Sequence, residues 1–85
     1  MKPDTLQADI EHRIAELRGR HPRIAVVHAT LDEWHEDRAP CHALRLDIRW
    51  AQHQSLVSGP VRPGGWAAVQ AGFEAAAQKL EDNHA

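Results

Sequence analysis

The residues of this 85-residue chain that carry usable chemistry are seven histidines, one cysteine and ten basic side chains. His21, His28, His35 and His42 recur at a spacing that would align them on a helix. The residues around them read as loops and strands instead, so the spacing does not gather them. No H-x-x-x-H or C-x-x-C pair occurs, and no metal site is expected. Cys41 stands beside His42, but neighbouring strand residues point to opposite faces, so the two do not form a nucleophile–base pair. Cys41 reads as a small filler at a strand start. Pro63-Gly64-Gly65 opens a helix whose free amides suit an anion, yet such a run reads first as a flexible lead into the helix. No catalytic constellation remains. The chain reads as a binding protein, not an enzyme, with no cofactor, metal or small-molecule substrate.

Charge narrows the choice of partner. A formal net charge of −2 argues mildly against a tight stand-alone nucleic-acid binder, because neutralised phosphates supply most of such affinity. Distribution matters more than the sum. Arg13, Arg18, Arg20 and Arg23 lie close together with Glu16 as the only acid among them. Asp32, Glu33, Glu36 and Asp37 form an acidic segment. A lone cysteine excludes an internal disulfide. Met1-Lys2-Pro3-Asp4 lacks the apolar run of a signal peptide, and no stretch approaches the roughly 20 apolar residues of a membrane span. The expectation is one cytoplasmic domain over residues 1–85. A chain this short buries only about 60% of its unfolded surface, which leaves no deep cleft.

The elements that must position these residues are legible from periodicity. Leu6, Ile10, Ile14 and Leu17 recur at helical spacing and predict a helix over 5–18. Asp4 is its expected N-cap, with Gln7 completing a capping box. Arg18 suits the negative end of the helix dipole. Gly19 is expected in the left-handed conformation just past the end, with Pro22 blocking continuation. A strand is predicted over 23–34, with Ala25, Val27, Ala29 and Leu31 on one face and Ile24, Val26, His28, Thr30 and Asp32 on the other. Residues 33–40 read as a loop closed by Pro40. Residues 41–50 alternate strictly, with His42, Leu44, Leu46, Ile48 and Trp50 inward and Ala43, Arg45, Asp47 and Arg49 outward. A turn near Gln52-His53 leads to a short strand over 54–58. After a loop over 59–65, a second helix is expected over 65–81, with Trp66, Val69, Phe73, Ala76 and Leu80 sharing a face.

The fold class is therefore α+β: a two-layer α/β sandwich in the order α-β-β-β-α. An antiparallel three-stranded meander carries both helices on one face. The predicted core is Leu6, Ile10, Ile14, Leu17, Val27, Leu31, Leu44, Leu46, Ile48, Val69, Phe73 and Leu80. His28, Thr30, Arg45, Asp47 and Arg49 are predicted on the wet face. Double-stranded-RNA-binding domains share this architecture, but they carry lysines at the start of the last helix. Here that segment runs from Pro63 to Ala68 with only Arg62 nearby, so ordinary duplex-RNA binding is not expected.

Four segments, in order, resemble the ribosome hibernation promoting factors, also called sigma-54 modulation proteins or ribosome-associated inhibitors. They are Ile10-Glu11-His12-Arg13-Ile14-Ala15-Glu16-Leu17, His21-Pro22-Arg23-Ile24, Leu44-Arg45-Leu46-Asp47-Ile48, and Ala68-Val69 through Ala71-Gly72-Phe73-Glu74-Ala75-Ala76 to Leu80-Glu81-Asp82. The resemblance implies a bacterial stress-response protein that binds the small ribosomal subunit where messenger and transfer RNA would lie, as a steric plug that inhibits translation. It implies RNA contacts from Arg13, Arg18, Arg20, Arg23, Arg45, Arg49 and Lys79. The family's opening strand has no counterpart here, which leaves a sheet edge open to a second copy of the chain. Gln70, Ala77 and Gln78 stand where the family carries basic residues on the last helix. The alternative expectation is a protein-interaction or dimerisation module of the same fold without RNA binding.

Overall fold

The computed structural model describes residues 5–82. The chain forms α1 (Leu6–Arg20), β1 (Val26–Glu36), β2 (Ala39–Trp50), β3 (His53–Ser58) and α2 (Gly65–Asp82). The α-β-β-β-α order and the meander are as expected: β2 is central and pairs antiparallel with β1 and β3.

Asp4, the expected cap, lies outside the described residues. The N-cap is Thr5, whose extended backbone lets Oγ1 accept the Ala8 N–H at 3.0 Å. The other end of α1 also differs from expectation. Gly19 does not take a left-handed conformation, and the helix continues through it to Arg20. Pro22 is what stops it. A residue before proline is pushed out of the helical region, and His21 sits at φ −129, ψ 79.

The first strand starts at Val26 rather than at residue 23. Its register partner is Arg49, yet the Ala25 N–H also donates to the Arg49 carbonyl, at 2.8 Å. Two residues of one strand thus answer one on the other, as in a β-bulge. The extra residue shifts the alternation by one. Ile24 therefore turns inward and is buried, correcting its expected place on the wet face, while Ala25 and Val26 are exposed.

Residues 33–40 are not a loop. The strands continue to Glu36 and resume at Ala39, joined by Asp37 and Arg38 with φ of 49 and 68. Two consecutive positive φ values mark the tight turn whose twist matches a hairpin. Pro40 is tolerated because His42 exchanges backbone hydrogen bonds with Arg62, at 2.7 and 2.8 Å, on the side away from β1. Alternation places the missing Pro40 N–H on that same side, so no bond to β1 is lost. Ala51, at φ 49, turns the chain from β2 to β3, one residue ahead of the expected turn.

Leu44, Leu46 and Ile48 along β2 have at most 1% of their surface exposed. Leu17, Ile24, Val57, Val69, Phe73 and Ala76 close around them. Leu6, Ile10, Ile14, Val27, Leu31 and Leu80 pack at the rim and are only partly buried, because α1 leans on α2 and not over the centre of the sheet. Trp66, expected inward, is 51% exposed.

The two helices run parallel. Gly65, first in α2, lies against Leu6, first in α1: a Cβ on it would come 2.8 Å from Leu6 Cδ2. At the far end, Arg20–Ile24 and Leu80 line one cleft. Both helix C-termini thus meet at the β2–β3 turn. The exposed β1–β2 hairpin overhangs the opposite end.

Candidate nucleic-acid interface

The wet sheet face carries His28, Thr30, Arg45, Asp47 and Arg49, as the alternation predicts. Its arginines are occupied. Arg45 grips Asp32 through Nε and Nη2, at 2.6 and 3.1 Å. That hydrogen bonding holds the Asp32 carboxyl below the ordinary aspartate range and raises Arg45 further. Arg49 Nη2 donates to Asp47 Oδ2 at 3.0 Å, and Gln54 Nε2 to Asp47 Oδ1 at 2.9 Å. These two bonds, Arg49 first, likewise hold Asp47 low. On α1, Arg13 Nε donates at 2.9 Å to the buried Asp9. A phosphate approaching Arg13, Arg45 or Arg49 would meet the partner carboxylate as well.

The other expected residues behave differently. Arg18, Arg20 and Arg23 have no carboxylate partner among the described residues. Arg20 and Arg23 line a cleft of about 250 Å³ with Trp50 and Leu80. Arg23 and Lys79 line a wider groove of about 1020 Å³ with Trp50, His53, Gln54 and Leu56. Among the described residues, neither lining contains an aspartate or glutamate. Lys79 is held in place, since Nζ donates to the Leu56 carbonyl at 2.8 Å. Among the described residues its other two N–H donors have no partner. Arg18 is exposed on the last turn of α1 and lines neither opening.

Parallel helices explain this gathering. The C-terminal turns of α1 and α2 lie side by side, so Arg20 and Lys79, far apart in sequence, reach one end of the molecule. The unpaired helix carbonyls there favour cations. Pro22 ends α1 early enough to leave Arg23 on the turn beside them.

Sequence reasoning missed Trp50 and His53. Trp50 closes the inward row Leu44, Leu46, Ile48, but it falls where the helix layer stops. It is half-buried and lines both openings. Its ring centroid lies 5.8 Å from that of His53, tilted by 34°. The available signal was an indole as the last residue of a strand, immediately before a turn. Ser55 also borders the groove, and its buried Oγ has no partner among the described residues.

No family model matches this chain, and no curated protein does.

The remaining chemistry is dispersed. Cys41 pairs with Trp34 and His42 with Glu33, on opposite sheet faces. His42 Nε2 lies 3.6 Å from Glu33 Oε1. Among the described residues, no group of three or more His, Cys, Asp or Glu is placed to hold a metal ion. No helix there is long and apolar enough to cross a membrane.

Proposed function

We propose that this protein binds small-subunit ribosomal RNA and acts as a hibernation-type steric plug on idle ribosomes, in the cytoplasm and without catalysis. The observation that carries this reading is the acid-free opening at the helix C-termini, where Arg20, Arg23 and Lys79 converge beside Trp50. The four family-like segments support it, since two of them supply Arg23 and the end of α2. Phosphate contacts position such a protein and shape selects the site. Arg18, Arg20, Arg23 and Lys79 are the contacts. Arg13, Arg45 and Arg49 are secondary, each tied to a carboxylate.

Sedimentation with ribosomal subunits through sucrose gradients tests this. Three or four phosphate contacts predict that affinity falls roughly 20- to 150-fold between 50 and 200 mM salt. Co-migration with the small subunit is expected at low salt, fading as salt rises and lost when Arg18, Arg20 and Arg23 become glutamate. Absence of co-migration at 50 mM salt refutes the reading.

One observation favours a second reading, a dimerisation module. The alternation set by His42 turns the backbone N–H and C=O groups of Val27, Ala29, Leu31, Glu33 and His35 toward the open edge of β1. They have no backbone partner there among the described residues. An edge this long invites another strand. The β3 edge is blunted by Lys79 on the Leu56 carbonyl. Sedimentation velocity that shows only monomer at high micromolar concentration rules out a dimer built on that edge.

A further inference from the structure

We infer that the opening at the helix C-termini takes a single-stranded RNA segment, with one unpaired base stacked on Trp50 and the flanking phosphates held by Arg23 and Lys79. This deepens the ribosomal-RNA reading and rests on it.

Three features point to an unpaired strand and not a duplex. First, the aromatic sits in the opening. Trp50 lines both the wider groove and the narrower cleft. A duplex keeps its bases stacked on each other and offers no free face to an indole. Unpaired bases stack on aromatic side chains regardless of sequence. Second, cations share both linings with the ring. Arg23 borders both hollows, Arg20 the narrower and Lys79 the wider. That is the arrangement a backbone needs if it passes the ring with a phosphate on either side. Third, Lys79 makes one hydrogen bond among the described residues, to the Leu56 carbonyl, which leaves two of its three N–H donors for a phosphate.

The wider groove, about 1020 Å³, lies at the top of the range of roughly 300–1,000 Å³ usual for small-ligand sites. It is open to solvent and not enclosed, which suits a strand lying in it better than a buried metabolite. Gln54, at its margin, is already engaged with Asp47, so base identity is read weakly, if at all.

The test is fluorescence on the full chain carrying Trp34→Phe and Trp66→Phe, which leaves Trp50 as the sole indole. The probes are a short oligouridylate and a blunt RNA duplex of equal length. Saturable quenching by the oligouridylate, with little by the duplex at the same salt, is expected. Removing an aromatic stacking platform should weaken binding roughly 5- to 150-fold, so Trp50→Ala is expected to fall in that range while Trp50→Phe retains most affinity, both read from the anisotropy of a fluorescein-labelled oligouridylate because these variants lack the reporting indole. Because Trp50 also packs against the core, Trp50→Phe together with Arg23→Glu and Lys79→Glu provides a set whose folding is checked by thermal melt. The charge reversals should lower affinity and flatten the salt slope. Equal quenching by duplex, or unchanged oligouridylate affinity in Trp50→Ala, overturns the inference. Subunit co-sedimentation without any quenching leaves the ribosomal reading standing and removes the stacking site. Quenching without co-sedimentation does the reverse.

Discussion

Replacing Gly72 with alanine places a methyl group where the structure has no room for one. Gly72 lies in the middle of α2 and faces β2. A Cβ there would sit 2.7 Å from both Cβ and Cδ2 of Leu44 and 3.2 Å from its Cγ. Ordinary carbon–carbon contact is about 3.5–4.0 Å, so the shortfall is close to 1 Å. Leu44 cannot swing aside, because its side chain is fully buried and one clashing atom is its own Cβ. On a free helix, glycine to alanine would stabilise by about 1 kcal/mol. Overpacking a filled core costs about 1–3 kcal/mol and sometimes more. The shortfall near 1 Å puts the overpacking cost at the upper end of that range, so the expected net effect is a loss of about 1–2 kcal/mol, or roughly 4–16 °C in Tm for a domain of this size. Urea and thermal unfolding followed by circular dichroism measure it. In a Leu44→Ala background the contacts to Cγ and Cδ2 are removed while the 2.7 Å contact to Cβ stays, so adding Gly72→Ala should cost clearly less there than in the wild-type protein. That difference is a coupling between touching residues. A stabilised Gly72→Ala single variant would refute the close packing of α2 on the central strand.

Further expectations follow from the hairpin and from the wet sheet face. Arg38 holds a left-handed φ of 68 in the Asp37-Arg38 turn, where glycine is unstrained, so Arg38→Gly should stabilise by about 1 kcal/mol in urea unfolding. Asp32 and Asp47 are held low by their arginine partners. The unfolded chain therefore binds more protons than the native one between the lowered and the ordinary values. Their contribution is complete above the ordinary aspartate range and is lost as pH falls through the lowered values. Carboxyl-carbon NMR titration should show both low. Arg45→Ala should return Asp32 toward the ordinary value and leave Asp47 where it is, and an Asp32 that already titrates normally in the native protein would mean the pair is not held in solution.

Periodicity carried the architecture because each element repeats a simple pattern. The β2 row Leu44, Leu46, Ile48 could face only one way, and the α2 stripe Val69, Phe73, Ala76 only one helix face. The misses share a cause: a local device broke the period. A bulge at Ala25-Val26 turned Ile24 inward, a register break that no residue type announces. The acidic run 33–37 was read as loop because polar residues are common in loops, but an overhanging hairpin with no core to cover can be polar on both faces. Gly19 was read as a helix end because glycine often is one; here the proline rule at Pro22 prevailed. The site was half legible. Arg20 and Arg23 stood out as basic residues near a helix end. Trp50 and Lys79 joined them only through the parallel packing of two helices remote in sequence, which no local pattern encodes.

That packing also decides how the net charge should be weighed. The acids Asp32, Glu33, Glu36 and Asp37 lie on β1 and its turn, toward the end where both helices begin. Arg18, Arg20, Arg23 and Lys79 lie where both helices end. The molecule is 42 Å long, and charges in 0.1 M salt are screened beyond about 10 Å. A phosphate at the basic end is therefore largely screened from the acidic hairpin, and the formal charge of −2 says little about binding there. What matters is which cations are not already bonded to a carboxylate. By that criterion Arg13, Arg45 and Arg49 drop behind, although they are as basic in sequence as the others. If binding depended on overall charge, neutralising two acids of the hairpin would strengthen it about half as much as reversing Arg23 and Lys79 weakens it. If it depends on the local opening, Glu36→Gln with Asp37→Asn should leave the affinity for RNA nearly unchanged at 0.1 M salt.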